Sequence, residues 1–210
     1  MKPNNFLLDV AAIRITLIFA LVFYHAFCPF TGAWDFPVYD IQPIELYKWL
    51  GLISHFFQLE AMVFISGLLF GYTLKRHPER LTFNNCVVKK AKRLLLPCLF
   101  FSAIYYFLFY DLNEQWGTIL LKLSNGVDHL WFLPMIFWCF VLCYLTERLR
   151  IPPPLVLLAS IIILALPSVD LFLGLKRVHR FFSFFILVLP LIKNTLSSDL
   201  YRKSVICYCC

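Results

Sequence analysis

The sequence predicts an all-α, polytopic transmembrane helical bundle of about six spans with a cytoplasmic N-terminus. The composition is 61% hydrophobic and 18% aromatic but only 15% charged, too apolar for a chain whose whole surface faces water. The apolar residues fall in long blocks, as spans require. Basic and acidic residues gather in different loops between those blocks, the asymmetry that sets orientation in a bilayer. The net charge of +7 is distributed in this way rather than concentrated on one soluble face, which argues against a nucleic-acid partner.

The spans are expected at residues 6–27, 50–74, 94–110, 129–145, 155–173 and 181–192. The third and sixth are short for a hydrocarbon core of about 30 Å. Between spans two and three lie Lys75, Arg76, Arg80, Lys89, Lys90, Lys92 and Arg93 against the single acid Glu79, so this loop belongs in the cytoplasm. The loop after span one carries Asp35, Asp40 and Glu45, and the loop after span three Asp111, Glu114 and Asp128; both belong outside. Lys176, Arg177 and Arg180 run against this pattern and suggest an anionic substrate or lipid headgroup. Trp34, Trp49, Trp116 and Trp131 lie near span ends, where amphipathic rings are favoured. Pro152, Pro153 and Pro154 stop one helix and start the next. The first apolar stretch shows no small-residue cleavage site and reads as a retained span rather than a signal peptide.

Cys28, Cys98, Cys139 and Cys143 sit in or beside apolar runs and read as small hydrophobes. Cys207, Cys209 and Cys210 match no metal-ligand spacing, so no metal is expected. They read as free thiols on a tail, with lipid attachment as the alternative. The organisation expected is one transmembrane domain over residues 1–196 and a short basic, Cys-rich tail over 197–210.

Ionisable side chains inside spans are costly unless paired or hydrated, so each marks a functional candidate. Arg14 and His25 are eleven residues apart in the first span. That is close to three helical turns, so they share a face about 16 Å apart along the axis. In the antiparallel second span, His55 lies at a depth similar to His25, and Glu60 lies near the middle, within reach of Arg14 as a counter-ion. Each has a structural reading too. Arg14 can snorkel, His25 can bond a neighbouring helix, Glu60 and Arg14 can form a purely structural pair, and His55 suits an interface better than catalysis.

Four segments in order resemble one family. Arg14 and His25 resemble the signature arginine and histidine of the acyltransferase-3 family. Residues 63–72, Val-Phe-Ile-Ser-Gly-Leu-Leu-Phe-Gly-Tyr, resemble its Phe-rich Ser-Gly stretch. Residues 89–97, with Lys90, Lys92, Arg93 and Pro97, resemble its basic cluster and proline-bearing helix start. Residues 129–134, His-Leu-Trp-Phe-Leu-Pro, resemble its His-Leu-Trp-Phe-Leu block. Together they cover roughly residues 10–135. The departures are lysines where relatives carry a second arginine, Glu60-Ala61 in place of Met-Pro, and no glycine over 184–190. Relatives usually carry more spans than this chain has room for, so the resemblance covers the N-terminal part of such an enzyme.

The resemblance implies an O-acyltransferase that moves an acyl group, commonly acetyl, from cytoplasmic acyl-CoA to a hydroxyl of a glycan or lipid-linked sugar, in a bacterial inner membrane. It implies Lys90, Lys92 and Arg93 at the phosphates of coenzyme A and Arg14 at the entrance to the membrane path. It implies His25 as general base or acyl acceptor; depth alone puts Glu60, a further catalytic candidate, beside Arg14. An oxyanion stabiliser is also needed; Ser66 and His129 are the candidates, although Ser66 beside Gly67 equally suits close helix packing. A non-catalytic remnant of such an enzyme and a small transporter or flippase remain the alternatives. The acceptor's identity and the oligomeric state are not legible in the sequence.

Overall fold

The computed structural model describes residues 3–31, 44–110, 115–164 and 175–186. These residues form seven α-helices and contain no strand: α1 (Pro3–Thr31), α2 (Glu45–Arg76), α3 (Lys89–Phe109), α4 (Trp116–Asn125), α5 (Phe132–Arg148), α6 (Pro153–Leu164) and α7 (Leu175–Ile186). Among the described residues, four helical stretches are long and apolar enough to cross a membrane: Leu8–Cys28, Glu45–Arg76, Asn84–Phe109 and Asp128–Arg148. They correspond to the first four expected spans. The fifth and sixth are described only over α6 and α7, and the rest of each lies outside the described residues, as does the tail.

Two expectations are corrected. The helical stretch that carries the third expected span starts at Asn84, so the basic residues belong to a helix rather than to a loop. A single turn of π-helix at Asn84–Val88 runs directly into α3, and Lys and Arg are good helix formers. Lys75 and Arg76 likewise fall in the last turn of α2, where they complement the helix dipole. The loop shrinks to residues 77–83. Second, the segment after the third span is not a plain loop but includes α4, which buries Ile119 and exposes Trp116. Trp34, Asp35, Asp40, Asp111 and Glu114 lie outside the described residues.

The main core is built by α2, α5, α6 and α7. Val63 and Phe70 of α2 meet Met135, Cys139, Phe140 and Cys143 of α5, Val156 of α6, and Val178, Phe181, Phe182 and Phe185 of α7. The last four recur at helical spacing and make one face of α7 apolar. Lys176, Arg177 and Arg180 lie in the first two turns of the same helix. Gly67 permits the contact with α7: a Cβ there would lie 2.5 Å from the Phe185 carbonyl oxygen. Helix α1 packs mainly on α2, through Val10 and Leu17 against Ile65.

Much of the outer surface is apolar. Phe19 and Val22 of α1, Trp49 and Ile53 of α2, and Phe100, Phe107 and Leu108 of α3 are all exposed. Such a surface is unfavourable in water and natural in lipid. The chain is an integral, multi-pass membrane protein.

Candidate active site

Three histidines from three elements meet at one end of the bundle. His25 lies near the C-terminal end of α1, His55 near the N-terminal end of α2, and His129 in the short 3-10 turn Asp128–Trp131 that leads into α5. The rings of His25 and His129 are edge to face with centroids 5.5 Å apart. Tyr24 stands edge-on to His25 at 5.4 Å and stacks on His55 at 4.3 Å, with the planes only 15° apart. On the far side, Tyr105 of α3 meets the His129 ring edge-on at 5.8 Å.

Local chemistry sets each ring. The Nδ1 of His25 lies 2.7 Å from the Leu21 carbonyl oxygen, one turn back. A carbonyl can only accept, so Nδ1 carries the proton and the neutral ring keeps its lone pair on Nε2. His129 is placed by an unusual turn. Gly126 has φ +79° and Asp128 φ +46°, so the chain reverses sharply between α4 and α5. A Cβ on Gly126 would meet the Leu130 carbonyl carbon at 2.6 Å, which excludes any other residue without a shift.

Helix α3 clamps this turn at three points. The Val127 N–H donates to Ser102 Oγ (3.2 Å), the Cys98 thiol donates to the Leu130 carbonyl (3.7 Å), and the Tyr110 hydroxyl donates to the Asp128 carboxylate (3.3 Å to each oxygen). Ser102 and Cys98 are buried, so the clamp belongs to the packed interior rather than to a mobile rim.

A second cluster lies further back along α1, around Arg14 in the N-terminal half of the helix. Arg14 and Arg93 are close enough for their charges to act on Lys90. The Nζ of Lys90 sits 4.0 Å from the centroid of Phe140, a cation–π contact made against the core. Lys92 and Arg93 are exposed, and Lys89 donates to Asn85 Oδ1 at 2.7 Å. Of the expected site residues, His25 and His129 are thus in ring contact, while Arg14 and Arg93 bear on Lys90 only through their charges. Along α1, about 16 Å separates Arg14 from His25.

Glu60 and Ser66 do not join either cluster by a direct bond. Glu60 is half-buried on α2, and no ion pair forms between it and Arg14. Val10 and Leu17, on either side of Arg14, pack against Ile65, and the Arg14 side chain is exposed. Ser66 donates its hydroxyl proton to the Met62 carbonyl at 2.8 Å and sits beside Gly67, where α7 approaches. Its O–H serves the helix backbone and is not directed at the histidines. Among the described residues, no three His, Cys, Asp or Glu side chains converge as metal ligands.

The sequence reading missed Tyr24, Tyr105 and above all Gln58. Gln58 is fully buried, its Nε2 lies 3.4 Å from His55 Nδ1, and its Oε1 has no partner among the described residues. A polar residue three positions after His55 within an apolar span was the available signal.

The acyltransferase domain of the acyltransferase-3 family matches residues 7–200, nearly the whole chain. The chain belongs to that family. The match extends well past residues 10–135, where the resembling motifs lie, and takes in α6 and α7. No curated protein and no solved structure matches the chain. Membership in the acyltransferase-3 family implies a membrane acyltransferase.

Proposed function

We propose that this acyltransferase-3 member transfers an acyl group, acetyl in the simplest case, from cytoplasmic acyl-CoA to a hydroxyl of a glycan or lipid-linked sugar, in a bacterial inner membrane. The observation that carries the reading is the pairing of His25 with His129, in which the Leu21 carbonyl holds His25 in the Nδ1–H form. That form presents Nε2 as the base.

In this reading Lys90, Lys92 and Arg93 bind the phosphates of the donor, with Arg14 beside them at the start of the membrane path. Lysines contact phosphate as point charges, without the bidentate geometry of arginine. The pantetheine arm runs along the face of α1 shared by Arg14 and His25, a path of about 16 Å. Nε2 of His25 takes the proton from the acceptor hydroxyl as the oxygen attacks the thioester carbonyl. The tetrahedral oxyanion collapses, the C–S bond breaks, and the coenzyme A thiolate leaves with the proton returned from His25. His129, at the edge of His25, is better situated than Ser66 to donate to the oxyanion. A route through an acyl-His25 intermediate uses the same residues.

The test is thioester turnover. Purified protein in nanodiscs, with His25→Ala and Arg14→Ala beside it, is given labelled acetyl-CoA, and coenzyme A release and label on the protein are followed. His25-dependent release or labelling supports the reading. Well-folded wild-type protein that leaves acetyl-CoA intact, with and without glycan acceptors, counts against it.

A further inference from the structure

Gln58 presents a cost that packing does not explain. It is fully buried in α2, and among the described residues its amide makes a single bond, to His55, and its Oε1 has no partner. Turning the amide over would exchange the two atoms and leave the other one unbonded. A leucine or methionine of similar volume would fill the same space without an orphaned polar atom. What the amide does supply is a polar contact to His55 Nδ1 at 3.4 Å.

That contact leads directly to His25. His55 stacks face to face on Tyr24 at 4.3 Å, and Tyr24 shares a hydrogen bond with the buried Cys28 one turn further along α1. The Tyr24 ring is thus held from two sides, and its edge meets His25 at 5.4 Å. His25 in turn must keep one ring orientation to donate to Leu21 and face His129. We propose that Gln58 is a positioning residue: its buried amide fixes His55 against Tyr24, and the Tyr24–His55 stack holds the His25 ring in the Nδ1–H orientation facing His129. The catalytic consequence rests on the acyl-transfer reading above; the structural consequence does not.

The experiment uses the full chain in nanodiscs with 15N-labelled histidine. The imidazole nitrogen signals of His25 are assigned by their loss in His25→Asn. In Gln58→Met they should move away from the wild-type Nδ1–H pattern, while Gln58→Glu, which can still bond the His55 ring, should retain it. Turnover of acetyl-CoA should show kcat reduced about tenfold to a hundredfold in Gln58→Met, the scale expected for a misplaced base, with KM for the donor little changed. His25 signals in folded Gln58→Met that coincide with wild type overturn the proposal. Should Gln58→Met not fold, Tyr24→Leu breaks the same chain of contacts one step later; an unshifted His25 there overturns it equally. If wild-type protein turns over no thioester, the acyl-transfer reading fails while the nitrogen signals still decide the role of Gln58.

Discussion

At the scale of single residues, His25 is the position on which the proposed chemistry turns. Loss of a positioned general base typically costs a factor of about 10²–10⁴. His25→Ala should therefore lower kcat for thioester turnover by that order, measured as coenzyme A release at saturating donor. Arg14→Ala and Arg93→Ala should act differently, chiefly by raising KM for the donor, because they bear on phosphate binding rather than on the reacting carbonyl. Outside the membrane spans, Glu79 accepts a hydrogen bond from its own backbone N–H and from His77, which together hold its carboxyl below the usual carboxylate range. A carboxyl depressed on folding contributes stability above its unfolded pKa and loses it as pH falls through the folded value. Glu79 is fully exposed, so solvent screens the contribution. Any difference in melting between Glu79→Gln and wild type should be small at neutral pH and vanish on strong acidification; a difference that grows toward low pH contradicts this sign.

At the scale of elements, two glycines decide how helices meet. Gly67 lets the α7 backbone approach α2, and an added Cβ would collide with the Phe185 carbonyl, a rigid group. Gly67→Ala should destabilise the bundle by about 1–3 kcal/mol, the usual cost of overpacking. Thermal unfolding in one detergent, with wild type alongside, measures it. Gly126 acts on a smaller unit, the turn that carries His129. At φ +79°, with the Leu130 backbone against the site of a Cβ, Gly126→Ala strains the turn directly. It should displace His129 and reduce turnover even in protein that remains folded, whereas Gly67→Ala should affect stability first. The clamp through Ser102 and Cys98 of α3 and the adjoining Tyr110 explains how a 3-10 turn holds His129 in place: its polar atoms are tied to a long helix and its cap.

At the scale of the whole molecule, the proposed donor path requires the side bearing Arg14, Lys90 and Arg93 to face the cytoplasm and the histidine side to face away from it, the orientation expected from the charge pattern. A cysteine placed in the 77–83 loop should be labelled by an impermeant thiol reagent only after the cytoplasmic face is opened, and one placed at Gln115 without opening it. Reversal of both results would invert the bundle and remove the basic cluster from the donor side.

What the sequence by itself determined was whatever depends on composition, order and helical period. Membrane class, the first four spans, the shared face of Arg14 and His25, and family membership all follow from local pattern, since a helix in lipid satisfies its own backbone within one segment. The basic residues Lys89 to Arg93 read as a loop by their charge, whereas they form the first turns of α3. Only the tertiary structure decided which groups touch. Depth along a helix is a one-dimensional quantity: it put Glu60 near Arg14, but no bond forms between them. It could not show that His129 comes to the edge of His25, because the Gly126 turn and the α3 clamp set that contact through residues far apart in the chain. Nor could it distinguish Gln58 from any other polar residue in a span, since its burial and the state of its amide oxygen exist only once the helices are packed together.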